Sequence, residues 1–214
     1  MLEIKGLNVD IGPVNILRDV GFSLQTGEMV GLIGRNGAGK TTFLRSVMGL
    51  LKARSGEIDF DGTKLLKVPP QKRAALGMGY MPEDRKLVPE LTVEENIKVP
   101  VWSTGIEGWE ERLEWIYGLI PEARDFRNRP ATSLSGGQQK LVALARALMV
   151  GRTVLLLDEP SEGIAPALAK RMSDILADLK KEGVSILIAE SNTQHCAHLL
   201  DRMYTVERGS VTSN

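Results

Sequence analysis

Met29-Val30-Gly31-Leu32-Ile33-Gly34-Arg35-Asn36-Gly37-Ala38-Gly39-Lys40-Thr41 decides the fold. Its first five residues form a short apolar run that reads as a buried strand. The remaining eight fit G-x-x-x-x-G-K-[ST], and an apolar helix is predicted from about Lys40 to Met48. A strand, a glycine loop and a helix in that order make an anion cradle. Glycines let the backbone wrap a phosphate, whose charge meets several N–H groups and the positive helix end. Taken bare, the pattern also suits a glycine-rich turn that binds nothing; its position between strand and helix argues for a phosphate site. The expected nucleotide-binding residues are Gly34, Arg35, Asn36, Gly37, Ala38, Gly39, Lys40, Thr41 and Thr42. Lys40 is expected to reach the β- and γ-phosphates, and the Thr41 hydroxyl to bind Mg²⁺.

Working outward, Thr153-Val154-Leu155-Leu156-Leu157 reads as a second buried strand and Val184 to Ala189 as a third. Between them Pro166 opens a predicted helix with Leu168, Met172, Ile175, Leu176 and Leu179 on one face, stopped by Gly183. This alternation predicts an α/β fold with a mainly parallel sheet. Two regions break the rhythm. Residues 1–28 and 56–66 look like short strands joined by turns such as Asp61-Gly62, a small antiparallel β lobe. Residues 88–150 carry helical periodicity, with Trp109, Leu113, Ile116, Tyr117 and Ile120 on one face. The expected organisation is one domain over 1–214, with 29–55, 67–87 and 151–214 as the nucleotide-binding core and 88–150 as a helical insertion.

The strand ending at Leu157 delivers Asp158-Glu159-Pro160 to the strand tips, where ligands of α/β sheets bind. Asp158 there would hold Mg²⁺ through water, and Glu159 would polarise an attacking water as general base. A lone Asp-Glu pair is also a common solvated turn; the phosphate loop favours the functional reading. Composition narrows the partners. With 27 basic and 27 acidic side chains the formal charge is zero, so no footprint for nucleic acid or an anionic membrane is visible. No apolar run is long enough to span a membrane, and the first residues show no signal-peptide pattern. Cys196, the single cysteine, excludes an internal disulfide and a Cys-based zinc site, and points to a reducing cytosol.

Leu134-Ser135-Gly136-Gly137-Gln138 precedes another amphipathic helix bearing Leu141, Leu144, Ala145 and Leu148. Ser135 suits an N-cap, and two glycines at a helix start offer N–H groups to a second anion. One explanation for a second anion site beside a single phosphate loop is a nucleotide held by another subunit.

The phosphate loop, Leu-Ser-Gly-Gly-Gln and Leu-Leu-Leu-Asp-Glu-Pro, in that order, resemble the ATP-binding-cassette (ABC) ATPases over nearly the whole chain. The resemblance implies a P-loop NTPase core and an Mg²⁺-dependent ATPase. It also implies a head-to-tail dimer with a second ABC ATPase subunit, the same or different, sandwiching two ATPs. Ser135, Gly136, Gly137 and Gln138 would then contact nucleotide in trans. Dimer closure would drive transmembrane permease subunits, placing the chain in the cytoplasm against the inner face of the membrane, with a substrate-binding protein involved only indirectly. Pro82-Glu83-Asp84-Arg85, Leu91 to Asn96, Pro160 to Pro166 and Glu190-Ser191-Asn192 resemble the branched-chain amino-acid uptake ATPases. Importers of urea and short-chain amides share much of this pattern.

Against the family pattern, Ile11 stands where an aromatic usually stacks on adenine, and Glu83 replaces the sensing-loop glutamine as a possible Mg²⁺ ligand. Ser191 occupies the place of the switch histidine, and Ala165 that of an aspartate. The chain stops at Asn214, short of the helical tail of the resembling ATPases. Ile11, Ser191 and Ala165 motivate an alternative, a nucleotide-gated clamp or regulatory cassette with little hydrolysis; Glu159 argues against it. His195 and His198 sit three apart on a predicted helix and read as surface or packing residues, and Cys196 as a small buried hydrophobe. Trp102, Trp109 and Trp115 read as packing of the helical lobe, or as a groove for a permease helix. The runs 122–129 and 180–182 read as solvated faces.

Overall fold

The computed structural model describes residues 1–213; Asn214, the end of the predicted domain, lies outside the described residues. Strands β1 (Leu2–Ile11) and β2 (Val14–Leu24) open the chain, followed by β3 (Met29–Ile33) and helix α1 (Lys40–Val47). Next come β4 (Ala53–Phe60), β5 (Thr63–Lys64), the short α2 (Pro70–Arg73) and β6 (Met78–Met81). A run of helices follows: α3 (Val93–Thr104), α4 (Trp109–Leu119), α5 (Pro121–Asp125) and α6 (Gly136–Val150). The chain then returns to the sheet through β7 (Val154–Asp158), α7 (Pro166–Lys181), β8 (Ser185–Glu190), β9 (Arg202–Glu207) and β10 (Ser210–Ser213).

Two sheets result. One is antiparallel, in the order β2-β1-β4-β5; the other has the order β10-β9-β3-β8-β7-β6, parallel except for the β9–β10 hairpin. The predicted α/β class with a mainly parallel sheet is therefore what forms. The antiparallel pairing reaches back to Ala53, which partners Val9, so β4 starts before the expected position 56.

Side-chain alternation along the central strands divides the core. Val154, Leu156, Leu187 and Ala189 face one cluster with Phe43, Leu44 and Val47 of α1 and Ile58 and Phe60 of β4. Leu155, Leu157, Ile186 and Ile188 face the other, with Leu144 and Leu148 of α6 and Met172, Ile175 and Leu179 of α7. The parallel sheet is covered on both faces, which is why β7 and β8 read as unbroken apolar runs.

Two expectations change and one holds. The predicted helix at His195 and His198 is a set of turns followed by one 3₁₀ turn over Ala197–Leu199. The Asn192 side chain captures the Gln194 N–H at 2.9 Å, and the Thr193 carbonyl takes both the Cys196 and Ala197 N–H groups, so the segment closes into single turns that are not continued as a helix. Nor are the charged runs simply solvated. Glu122 receives Arg171 at 2.8 and 3.3 Å, and Lys180 donates to the Leu199 carbonyl at 2.6 Å and to Asp201 at 2.7 Å. Both contacts fasten α7 to its neighbours. Cys196 is buried, and burial pushes its thiol up to about 12, so the inert reading holds.

The β9–β10 turn touches the phosphate loop directly. Gly209, at φ +83°, donates its N–H to the Ala38 carbonyl at 3.0 Å and accepts from Arg18 of β2 at 2.9 Å. A Cβ there would lie 1.9 Å from the Ile16 carbonyl oxygen. Gly209→Ala is expected to lose about 1–3 kcal/mol from overpacking and strained φ. Calorimetry should show a melting temperature lower by several degrees; an unchanged one would refute the close approach.

Candidate active site

Strands β3, β7 and β8 lie side by side and end together, so three separate segments meet at their C-terminal tips. After β3, Gly34 turns the chain where a Cβ would come within 2.4 Å of the Val206 carbonyl, and its N–H donates to the Glu190 carbonyl at 3.2 Å. Gly39, at φ +118°, starts α1; no side chain caps this helix and its first turn has no acid. Its N-terminal N–H groups are therefore free to meet an anion.

The Lys40 ammonium is folded back over the loop. It donates to the Gly34 and Arg35 carbonyls at 2.6 and 3.3 Å and lies 3.0 Å from Glu159 Oε1. Thr41 Oγ1 donates to Asp158 Oδ1 at 3.1 Å, and the Tyr80 hydroxyl donates to Asp158 Oδ2 at 3.3 Å. Burial pushes the Asp158 carboxyl up to about 6, with the charges of Glu83 and Glu159 adding and the Thr41 and Tyr80 hydrogen bonds opposing. A cleft of about 370 Å³ is lined by Ile16, Asn36, Gly37, Gly39, Lys40, Thr41, Thr42, Glu83 and Glu159. Thr41, Asp158 and Glu83 are hard oxygen donors of the kind Mg²⁺ prefers. Among the described residues no group of three or more His, Cys, Asp or Glu could hold a metal. A Mg²⁺ ion with few protein ligands, completed by phosphate and water oxygens, fits this donor set.

Glu159 adopts a left-handed backbone, φ +47°, with its N–H donating to the Ala189 carbonyl at 2.9 Å. Its Oε2 accepts the Ser191 N–H at 3.1 Å and the Ser191 hydroxyl at 3.4 Å. Oε1 has Lys40 as an ion partner but no hydrogen-bond partner among the described residues. Beside it lies Glu190, whose carboxylate accepts the Ser161 N–H at 2.9 Å. Burial and the neighbouring Glu159 push Glu190 up to about 8. Burial also acts to raise Glu159, but the interactions with Glu190, Lys40 and Ser191 outweigh it and hold that carboxyl below its ordinary value.

Ser135 caps α6: its Oγ accepts from the Gln138 N–H at 3.3 Å while Gln138 Oε1 accepts from the Ser135 N–H at 2.9 Å. None of Ser135, Gly136, Gly137 or Gln138 lines the cleft, so a single chain does not bring the two anion sites together. Instead α6 braces the loop after Glu83. Arg85 Nη1 donates to the Gly136 carbonyl at 3.4 Å, and Arg146 donates to the Lys86 carbonyl at 2.6 Å and to that of Arg85. Arg85 and Lys86 both have positive φ, so the clamp holds a bent segment. Ile11 is 47% exposed and presents no ring to the cleft.

Sequence reasoning missed Tyr80, Lys140 and Glu190. Glu190 stood inside a quoted stretch without a role; Lys140 carried only the weak signal of a cation on an otherwise apolar helix. A phosphate loop, a paired acid after the neighbouring strand and a capped glycine pair define a phosphate-loop nucleotide-binding protein of the cassette type. The ABC transporter family profile matches residues 17–162, and the chain belongs to that family. BraG of Pseudomonas aeruginosa, a high-affinity branched-chain amino acid transport ATP-binding protein, is 34% identical over 211 residues, 99% of this chain and 91% of BraG. LptB of Haemophilus influenzae, a lipopolysaccharide export system ATP-binding protein, is 33% identical over 198 residues, 92% of this chain and 82% of LptB. A dimeric bacterial ABC transporter cassette superposes with a TM-score of 0.87 at 25% identity, covering 99% of this chain and 96% of that one.

Proposed function

We propose that the chain is the ATP-hydrolysing subunit of an ABC importer, with branched-chain amino acids as the cargo. The observation that carries the catalytic part is the meeting of Lys40, Thr41, Asp158 and Glu159 at adjacent strand tips. ATP phosphates occupy the loop from Gly34 to Thr42. Lys40 leaves Glu159 for the β- and γ-phosphates, and its charge stabilises the transferring group. Glu159, aimed by the Ser191 N–H, takes a proton from the attacking water; the water oxygen bonds the γ-phosphorus as the bond to the β–γ bridging oxygen breaks. Ser191 thus positions the base by its backbone and hydroxyl. Thr41, Asp158 and Glu83 would hold Mg²⁺, which supplies charge neutralisation on the phosphates when bound.

Ser135, Gly136, Gly137 and Gln138 act in trans on the nucleotide of a second cassette. Their separation from the cleft and the likeness to a dimeric cassette support this reading. The domain division, with the strand bound moved to Ala53, is 1–28 and 53–66 as the antiparallel lobe, 88–150 as the helical part and the rest as core. A groove of about 760 Å³ between them, bordered by Leu50, Tyr80, Glu83, Val99, Pro100 and Ser103, suits a permease helix; none of the three tryptophans lines it. Among the described residues no helix is long and apolar enough to cross a membrane, so membrane attachment runs through the permease. The cargo rests on the likeness to BraG, and the likeness to LptB keeps lipid-linked export as the competing cargo class.

ATPase rate measured against protein concentration with Mg²⁺ tests the central claim. A rate rising faster than linearly is expected, because each site needs its partner's signature. No turnover in either the isolated chain or the assembled transporter would replace this reading with a nucleotide-gated clamp.

A further inference from the structure

Lys140 has no part in the roles given so far, yet it is one of the few charges the fold buries. Only 4% of it is exposed, on a stretch of α6 where Leu141, Val142, Leu144 and Leu148 are buried beside it. Taking an ammonium out of water is costly unless hydrogen bonds and counter-charges replace the solvent. Its Nζ donates to the carbonyl of Glu159, and although burial pulls the ammonium below its ordinary value, the acidic side chains of Glu190, Glu162 and Glu159 act against that shift, with the Arg85 cation opposing them.

The acceptor is the unusual part. Glu159 is a non-glycine residue in left-handed backbone, a conformation that persists only where the surroundings fix it. Three contacts do so, and Lys140 supplies the one that comes from a helix. The Glu159 N–H is held from β8 through the Ala189 carbonyl, and the Glu159 carbonyl accepts both the local Glu162 N–H at 3.2 Å and, from α6, the Lys140 ammonium. The peptide groups on either side of the Glu159 Cα are thereby held, and the direction of its carboxylate follows.

We propose that Lys140 is a positioning residue for the general base: from the helix that carries the signature, it fixes the backbone of Glu159 and so the aim of its carboxylate. This rests on the reading of Glu159 as the base. Because Ser135, Gly136 and Lys140 share one helix, the residue that serves the partner's nucleotide and the residue that aims this chain's own base are mechanically joined.

The test compares Lys140→Met, which keeps the length of the side chain and removes the donor, with Lys140→Arg, which keeps a donor. ATP turnover is measured in the transporter assembled with its permease. Lys140→Met is expected to lower kcat ten- to a hundredfold with KM for ATP within twofold, and Lys140→Arg to recover at least part of that loss. Combined with Glu159→Gln, Lys140→Met should cause no further loss, since the group it aims is gone. If Lys140→Met does not fold, Lys140→Leu, which also lacks a donor, serves for the same readouts.

Wild-type kcat in Lys140→Met beside an inactive Glu159→Gln would overturn this inference while leaving the base assignment intact. An equal loss in both backgrounds, or a KM rising in step with the fall in kcat, would overturn it in favour of a purely structural lysine. Wild-type turnover in Glu159→Gln would remove the base assignment, and the role of Lys140 with it.

Discussion

Glu159→Gln is expected to slow ATP turnover by about 10²–10⁴-fold while ATP binding persists or strengthens. The two halves of that result have different origins. Glutamine matches the shape of the side chain and keeps an oxygen for the Ser191 N–H now 3.1 Å from Oε2, so the fold of the site survives. It cannot take a proton from water at neutral pH, so the chemical step loses its base. Lys40 meanwhile loses the charge 3.0 Å from its ammonium and is released toward phosphate. Carboxylate and γ-phosphate compete for one cation, and removing the carboxylate settles the competition. ATP-bound dimers should accumulate and be visible by light scattering. Turnover within twofold of the unsubstituted chain would sink the assignment.

Lys40→Met is expected to fail at the earlier step. Hydrogen bonds to charged partners contribute about 1.5–3 kcal/mol each, so losing even one to phosphate weakens binding roughly 10–150-fold. The side chain is also the only salt-bridge partner of Glu159 among the described residues, so the variant strands that carboxylate beside Glu190 in a buried site. Both effects act against a bound triphosphate, whose negative charge would meet an unbalanced carboxylate. Titration with a fluorescent ATP analogue measures the loss. Affinity within threefold of the unsubstituted chain would mean that the loop N–H groups alone hold the phosphates.

The site was legible where its chemistry is written in adjacent residues. The stretch 29–41 declares strand, loop and helix in order, because a backbone wrapped around an anion needs glycines at particular steps. Leu155, Leu156 and Leu157 leading to Asp158 were readable because a strand buried on both faces has no polar residue until its tip. The Ser135 cap was readable because Gln138 stands three residues on, where a reciprocal cap places it. Long-range partners left no such trace. Lys140 meets a carbonyl 19 residues away, and Glu190 meets Glu159 only because β7 and β8 are neighbours in the sheet. One side-chain bond, from Asn192, and local backbone turns within 192–197 overrode a helical pattern for the same reason: competition for N–H groups is settled by geometry that periodicity does not record.

Helix α6 is fastened at unequal distances along its length. Arg146 grips the carbonyls of residues 85 and 86, Lys140 grips that of Glu159, and Ser135 stands at the tip. At 1.5 Å per residue, Lys140 lies about 9 Å and Ser135 about 16 Å from the Arg146 anchor. A rod pivoting at that anchor is a lever with a ratio of roughly two to one: about 2 Å at the tip becomes about 1 Å at the Glu159 carbonyl. Catalytic groups feel a misplacement of about that size as a rate change on the order of a hundredfold. Small tilts of one helix, set by whatever presses on its exposed tip, are thus geared down into fine adjustment of a single carboxylate.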